Sequence, residues 1–131
     1  RRGGPGSGSL MNYLRLYSGD DGQSHFEDVE FALEDRGGAE GQISVSWLSK
    51  GVIFRKVGGD YHYDYHNAPR RQFVVNLTGH VDIEIGDGTV RRMGPGSILL
   101  AEDLTGQGHI SRGVNNESRT CLFVPLDEDA T

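Results

Sequence analysis

Residues 80–93 read HVDIEIGDGTVRRM. Val81, Ile83 and Ile85 alternate with Asp82 and Glu84; Asp87-Gly88 interrupts the run, and residues 89–93 return. Strand side chains point to opposite faces with a period of two, so one face of the first run is apolar and the other wet. Asp-Gly is a tight-turn dipeptide, since glycine takes a positive φ without steric cost. The stretch therefore predicts a β-hairpin that buries one face.

The same grammar extends in both directions. Downstream come GPGSILLAED (94–103), HISRGV (109–114) and RTCLFVPL (119–126). Upstream lie VIFRKV (52–57), QISVSWLS (42–49) with Ile43, Val45 and Trp47 in one row, and FEDVEFAL (26–33) as the run that opens the sheet. The 20 glycines punctuate the chain at short intervals. Short strands separated by glycine turns indicate an all-β sandwich or barrel. No amphipathic helix longer than about two turns and no fixed-period repeat is visible.

At 131 residues the chain suits one domain with one core. RRGGPGSGSL (1–10) reads as leftover cloning sequence, residues 11–126 as a single β domain, and DEDAT (127–131) as an acidic tail. Nineteen acidic against 13 basic residues give a net charge of −6, which argues against a nucleic-acid partner. No run approaches the roughly 18 apolar residues of a membrane span, and no signal peptide follows Met11. The single cysteine, Cys121, lies in an apolar run and reads as a buried small hydrophobe. With no possible internal disulfide, a cytoplasmic setting is expected.

Residues 61–79, YHYDYHNAPRRQFVVNLTG, carry the candidate chemistry. Before an Asn-Ala-Pro break, His62, Asp64 and His66 alternate with Tyr61, Tyr63 and Tyr65. After it, Arg70, Gln72, Val74 and Asn76 alternate with Arg71, Phe73, Val75 and Leu77. Strict alternation places Asp64, His66, Arg70 and Gln72 in one inward polar row. It places the tyrosines, Phe73, Val75 and Leu77 on an apolar outer row, which suggests a covered surface and a homodimer. An inward Arg70 either pairs with a carboxylate or grips an anionic substrate. Glu102 and Asp103, at the lip of a loop, read as solvated residues, as that bridge to Arg70, or as a general acid/base. His25 and His80 read as surface residues.

The order of these features resembles the cupin superfamily, small double-stranded β-helix (jelly-roll) barrels. The tightest stretch is RRQFVVNLTGHVDIEIGDGTVRRMGPGSILLAED (70–103), within a likeness that covers about Tyr61 to Leu126. The family's first motif runs roughly HxHxxxxE and then G; its acidic ligand and turn glycine correspond to Gln72 and Gly79. The HxH slots hold Tyr65 and Asn67, or Asp64 and His66 if the connection is one residue longer. The family's PxG turn matches Pro95-Gly96 in part, and its late histidine matches His109.

The resemblance implies one divalent transition metal ion (iron, nickel, manganese or zinc) held by His66, Gln72 and His109. Asp64 would be a fourth ligand or the general base, with His62 a less favoured ligand. Arg70 would orient the substrate. Imidazole donors converging from neighbouring strands suit such ions, and neutral Gln in place of Glu weakens the site. The implied function is a metal-dependent enzyme acting on a small polar or anionic substrate, of oxygenase, isomerase, cyclase or lyase type. The rivals are a non-redox isomerase or epimerase of sugar-like substrates, and a non-catalytic small-molecule sensor, since this fold hosts many chemistries.

Overall fold

The computed structural model describes residues 10–127. All but the last residue of the expected cloning remnant and all but the first residue of the acidic tail lie outside them. The described chain is all-β. Its strands are β1 (Leu10–Ser18), β2 (Ser24–Ala32), β3 (Glu34–Gly37), β4 (Gly41–Ile43), β5 (Ile53–Val57), β6 (His62–His66), β7 (Gln72–Thr78), β8 (Val81–Glu84), β9 (Val90–Met93), β10 (Ile98–Glu102), β11 (His109–Gly113) and β12 (Arg119–Pro125). No helix among the described residues is long and apolar enough to cross a membrane.

The strands form a six-stranded sheet, β2-β1-β10-β7-β12-β5, a four-stranded sheet, β6-β11-β8-β9, and a small β3-β4 pair. The two larger sheets share no hydrogen-bonded strand pair, so they do not close into one continuous barrel. β1 runs parallel to β10, and the other pairings are antiparallel.

The hairpin at 80–93 forms as its sequence requires. Val81 pairs with Met93 and Glu84 with Val90. Gly88 sits at φ 90°, a conformation that favours glycine, and its N–H donates to the Ile85 carbonyl at 2.9 Å. Val81, Ile83, Ile85 and Met93 then meet Leu14, Leu16, Leu99 and Ala101 from the other sheet to make the core. Burying such side chains is worth about 1.5–3 kcal/mol each before conformational entropy is charged against it.

Two upstream expectations change. The sheet opens at β1, not at 26–33: Leu14 and Leu16 alternate into the core, and a parallel partner such as β10 leaves no hairpin signal in the sequence. The run 42–49 is strand only over Gly41–Ile43. Trp47 leaves the sheet to pack edge-on against Tyr13 and Phe73, with ring centroids 6.2 and 4.9 Å away, while Val45 is left exposed. That packing also covers Phe73, one of the residues assigned to the apolar outer row, from within the same chain.

Candidate functional site

A cavity of about 240 Å³ lies between the two larger sheets. The side of the four-stranded sheet contributes Tyr61, Tyr63, His66 and His109; the six-stranded sheet contributes Arg55, Gln72, Arg119 and Phe123. Val81, Ile83, Leu99 and Ala101 line it and also belong to the core, so the site is built directly on packed side chains.

The histidine wall depends on a bulge. His109 pairs with His66, whereas Ser111 pairs with Tyr63 and Arg112 with His62. Two steps along β11 (109 to 111) therefore face three along β6 (63 to 66). An extra residue in one strand reverses the facing of everything beyond it. Tyr61 and Tyr63 consequently line the cavity together with His66, while His62, Asp64 and Tyr65 are exposed and line none of it. The expected polar row of Asp64, His66, Arg70 and Gln72 is thus split, and of the tyrosine row assigned to a dimer face Tyr61 and Tyr63 line the cavity, although Tyr63, like Tyr65, also remains exposed.

The displaced groups have local tasks. Asp64 Oδ1 accepts the Tyr65 backbone N–H at 2.9 Å, and the Asp64 carbonyl accepts from His66 Nδ1 at 2.8 Å. Arg70 is exposed; its Nη1 donates to Gln72 Oε1 at 2.8 Å, fixing that amide from outside the cavity. The bridge expected between Arg70 and Glu102 or Asp103 is made differently: Glu102 accepts from Arg71 Nε at 2.6 Å and from Arg15 Nε. His25 and His80 sit at partly exposed positions and pair with Asp21 and Glu117.

His66 and His109 come together. Their ring centroids are 4.3 Å apart at 53°, and Tyr63 stacks on His66 at 3.6 Å and 7°. Gly108 permits the approach: at φ 81°, a Cβ there would stand 2.1 Å from the His66 carbonyl oxygen. A carbonyl can only accept, so His66 Nδ1 carries the hydrogen and Nε2 keeps its lone pair in the neutral ring. Burial holds the His66 pKa below the usual 6.5 despite the hydrogen bond to Asp64, with neighbouring His109 adding to the depression.

Behind His109 stands Asp103, fully buried. Its Oδ2 lies 2.6 Å from His109 Nδ1 and accepts the Ser24 hydroxyl at 2.7 Å, while Oδ1 has no protein donor. The carboxylate fixes the imidazole's orientation and leaves its Nε2 available. Residues 102 and 103 thus serve opposite sides of β10, which strand alternation allows but the sequence alone does not rank. The clue available in the sequence was the DLTGQGH segment (103–109), which returns a histidine to an aspartate across a glycine-bearing loop.

The opposite wall is cationic. Arg119 is 5 % exposed; its Nη1 donates to Asn76 Oδ1 at 3.2 Å, and its Nε has no partner. Burial pushes its guanidinium below the usual arginine range, and Arg55 nearby adds to that. Arg55 lies 5.0 Å from the Tyr61 ring and 5.1 Å from Phe123, and Arg119 lies 5.5 Å from Tyr61. Among the described residues no carboxylate pairs with either arginine. Cys121, next to Arg55 in register, is buried as expected.

The chain was compared with protein-family models and with curated proteins, and nothing matches in either case.

The donor set gives partial support to a metal. Two imidazoles with available Nε2 atoms line the cavity from one sheet and the Gln72 amide from the other, and a carboxylate behind a ligating imidazole is a common supporting arrangement. Among the described residues, however, no group of three His, Cys, Asp or Glu side chains is arranged to hold an ion. No carboxylate lines the cavity, and two guanidiniums do. The set is one charged donor short of a facial site.

Proposed function

We propose that this protein is a cupin-like enzyme that moves a proton on a small organic molecule bound between its sheets, in a non-redox isomerisation. The observation that carries the reading is the buried Ser24–Asp103–His109 chain, which orients one imidazole in a cavity wall. A positioned imidazole with a carboxylate behind it is a general base. His109 Nε2 takes a proton from the substrate, Asp103 stabilises the imidazolium, and the proton returns to a different substrate atom. His66, close by, is disfavoured as a cation by burial and so does not compete for that proton. The parallel β1–β10 pair and the facing six- and four-stranded sheets are compatible with a cupin-like barrel.

A second reading is favoured by the two available Nε2 atoms. His66, His109 and Gln72 would hold one divalent transition metal, which would supply Lewis-acid or redox chemistry.

Two measurements separate the readings. In D2O, metal-free protein is expected to catalyse deuterium incorporation into at least one member of a panel of small hydroxy-carbonyl compounds. His109→Asn should abolish it and Asp103→Asn should reduce it. No incorporation across the panel, or equal incorporation by His109→Asn, overturns the first reading. Near-stoichiometric iron, nickel, manganese or zinc in protein purified without chelators, lost in both His66→Ala and His109→Ala, selects the second.

A further inference from the structure

We infer that Arg55 and Arg119 form a carboxylate-binding subsite, so that the cavity takes small monocarboxylates with a flat apolar body. The inference specifies the substrate class of the proposed site, but it stands on the opposite wall and does not need His109 to act as a base.

Burying a guanidinium without a counter-charge is costly, and buried charges are normally paired. Arg119 breaks that pattern: its hydrogen bond to Asn76 is to a neutral oxygen, its Nε has no acceptor, and it lines the cavity. Asn76 is itself 2 % exposed and donates to the Gly79 carbonyl at 2.6 Å, so it holds the guanidinium in a fixed position. Arg55, on the neighbouring strand, adds a second cation with no carboxylate partner among the described residues, its Nη1 reaching the Cys121 Sγ at 3.9 Å. A carboxylate supplies two acceptors in one plane, the geometry that a guanidinium fork matches. The remaining surface selects the body. Tyr61, Val74, Leu99 and Phe123 line the cavity, and the Tyr61 ring lies beside both arginines. An apolar cavity of about 150 Å³ holds benzene, so about 240 Å³ leaves room for a carboxylate head.

The test uses the full chain and three probes: sodium benzoate, its neutral isostere benzamide, and inorganic phosphate, at constant ionic strength. Binding is read by calorimetry and by the shift in melting temperature. Benzoate is expected to bind and to raise the melting temperature. Benzamide and phosphate should each bind about ten-fold more weakly or worse, since a hydrogen-bonded charge pair is worth that much or more. Arg119→Met and Arg55→Met should each lose about ten-fold in benzoate affinity, whereas His109→Asn should keep it. Benzoate binding that survives in His109→Asn, in a protein that shows no proton exchange, upholds this inference while the catalytic reading fails. Equal binding of benzoate and benzamide overturns the inference, as does no benzoate binding, or phosphate binding more tightly than benzoate. These comparisons on the wild-type protein stand even if an arginine variant fails to fold.

Discussion

On the β6–β11 wall of the cavity, each imidazole has one nitrogen held in place. His66 Nδ1 is taken by the Asp64 carbonyl and His109 Nδ1 by Asp103, whose Oδ2 also holds Ser24. On the β5–β12 wall, a guanidinium just as deeply buried has a neutral amide oxygen and an Nε with no acceptor. Both walls remove ionisable groups from water. One pairs its carboxylate with His109 and Ser24, leaving only Asp103 Oδ1 without a donor among the described residues, and so gains a fixed geometry. The other leaves charge unsatisfied, which lowers stability and creates affinity for something outside the chain. Proteins retain such costs where function needs them.

The comparison breaks most directly at Asp103. Asp103→Ala leaves the Ser24 hydroxyl and His109 Nδ1–H without their acceptor in a site with no other, so urea unfolding is expected to show a loss of about 3 kcal/mol. Asp103→Asn keeps the shape and one acceptor and should lose about half of that. If Asp103→Ala unfolds at the wild-type midpoint, the histidine wall is not held by this carboxylate.

Arg119→Met should move stability the other way. It removes a buried cation and keeps an unbranched apolar side chain in the same space, at the cost of one unpaired Asn76 oxygen. A gain of about 1 kcal/mol is expected by the same measurement. A loss of similar size to that of Asp103→Ala would make the two walls alike and remove the reason to see a ligand site.

Glu102 provides an internal control next to Asp103 in sequence. It accepts from Arg15 and Arg71 near the surface, and these hydrogen bonds hold its carboxyl below the usual range although burial pushes it up. Its stabilisation is present above pH 4.5 and is lost as pH falls through the lowered folded value. Glu102→Gln should cost about 1 kcal/mol at neutral pH and flatten the acid limb of the stability curve.

The difference between the walls also explains what could be read in advance. Arg119 and Cys121 alternate inward on β12, which keeps one register against β5, and Val81, Ile83 and Ile85 do so on β8 and after it, which pairs regularly with β9. There a period of two is enough, and the all-β class and the β8–β9 hairpin follow from it. His66 and His109 meet on one wall, and Gln72 reaches the cavity from the other sheet. Asp64 was not placed correctly, because the extra residue between Tyr63 and His66 reverses the facing and nothing local announces a bulge, and Arg70 was not, because it lies in the bend between β6 and β7 where alternation does not hold. The Asp103–His109 pair was hidden for a different reason. Six residues separate them across a turn, and which of Glu102 and Asp103 faces inward depends on the β1–β10 pairing, a long-range contact. Arg55 and Arg119 drew no notice, since a lone arginine in a strand usually finds a carboxylate in water or on a neighbour.

The smallest expected effect tests whether the bulge matters to the chemistry. Burial lowers the His66 pKa, so between that folded value and 6.5 the unfolded chain binds a proton that the folded chain does not. Stability must therefore fall as pH drops below about 6.5 and be flat above it as far as His66 is concerned. His66→Phe removes this titration while keeping a flat ring for Tyr63 to stack on. The variant should lose less stability than wild type between pH 6.5 and 5, by a fraction of 1.4 kcal/mol per pH unit, in chemical unfolding followed across that range. An unchanged slope would mean that His66 titrates as if in water. It would then be free to carry a proton, and the distinction between the paired imidazoles would be lost.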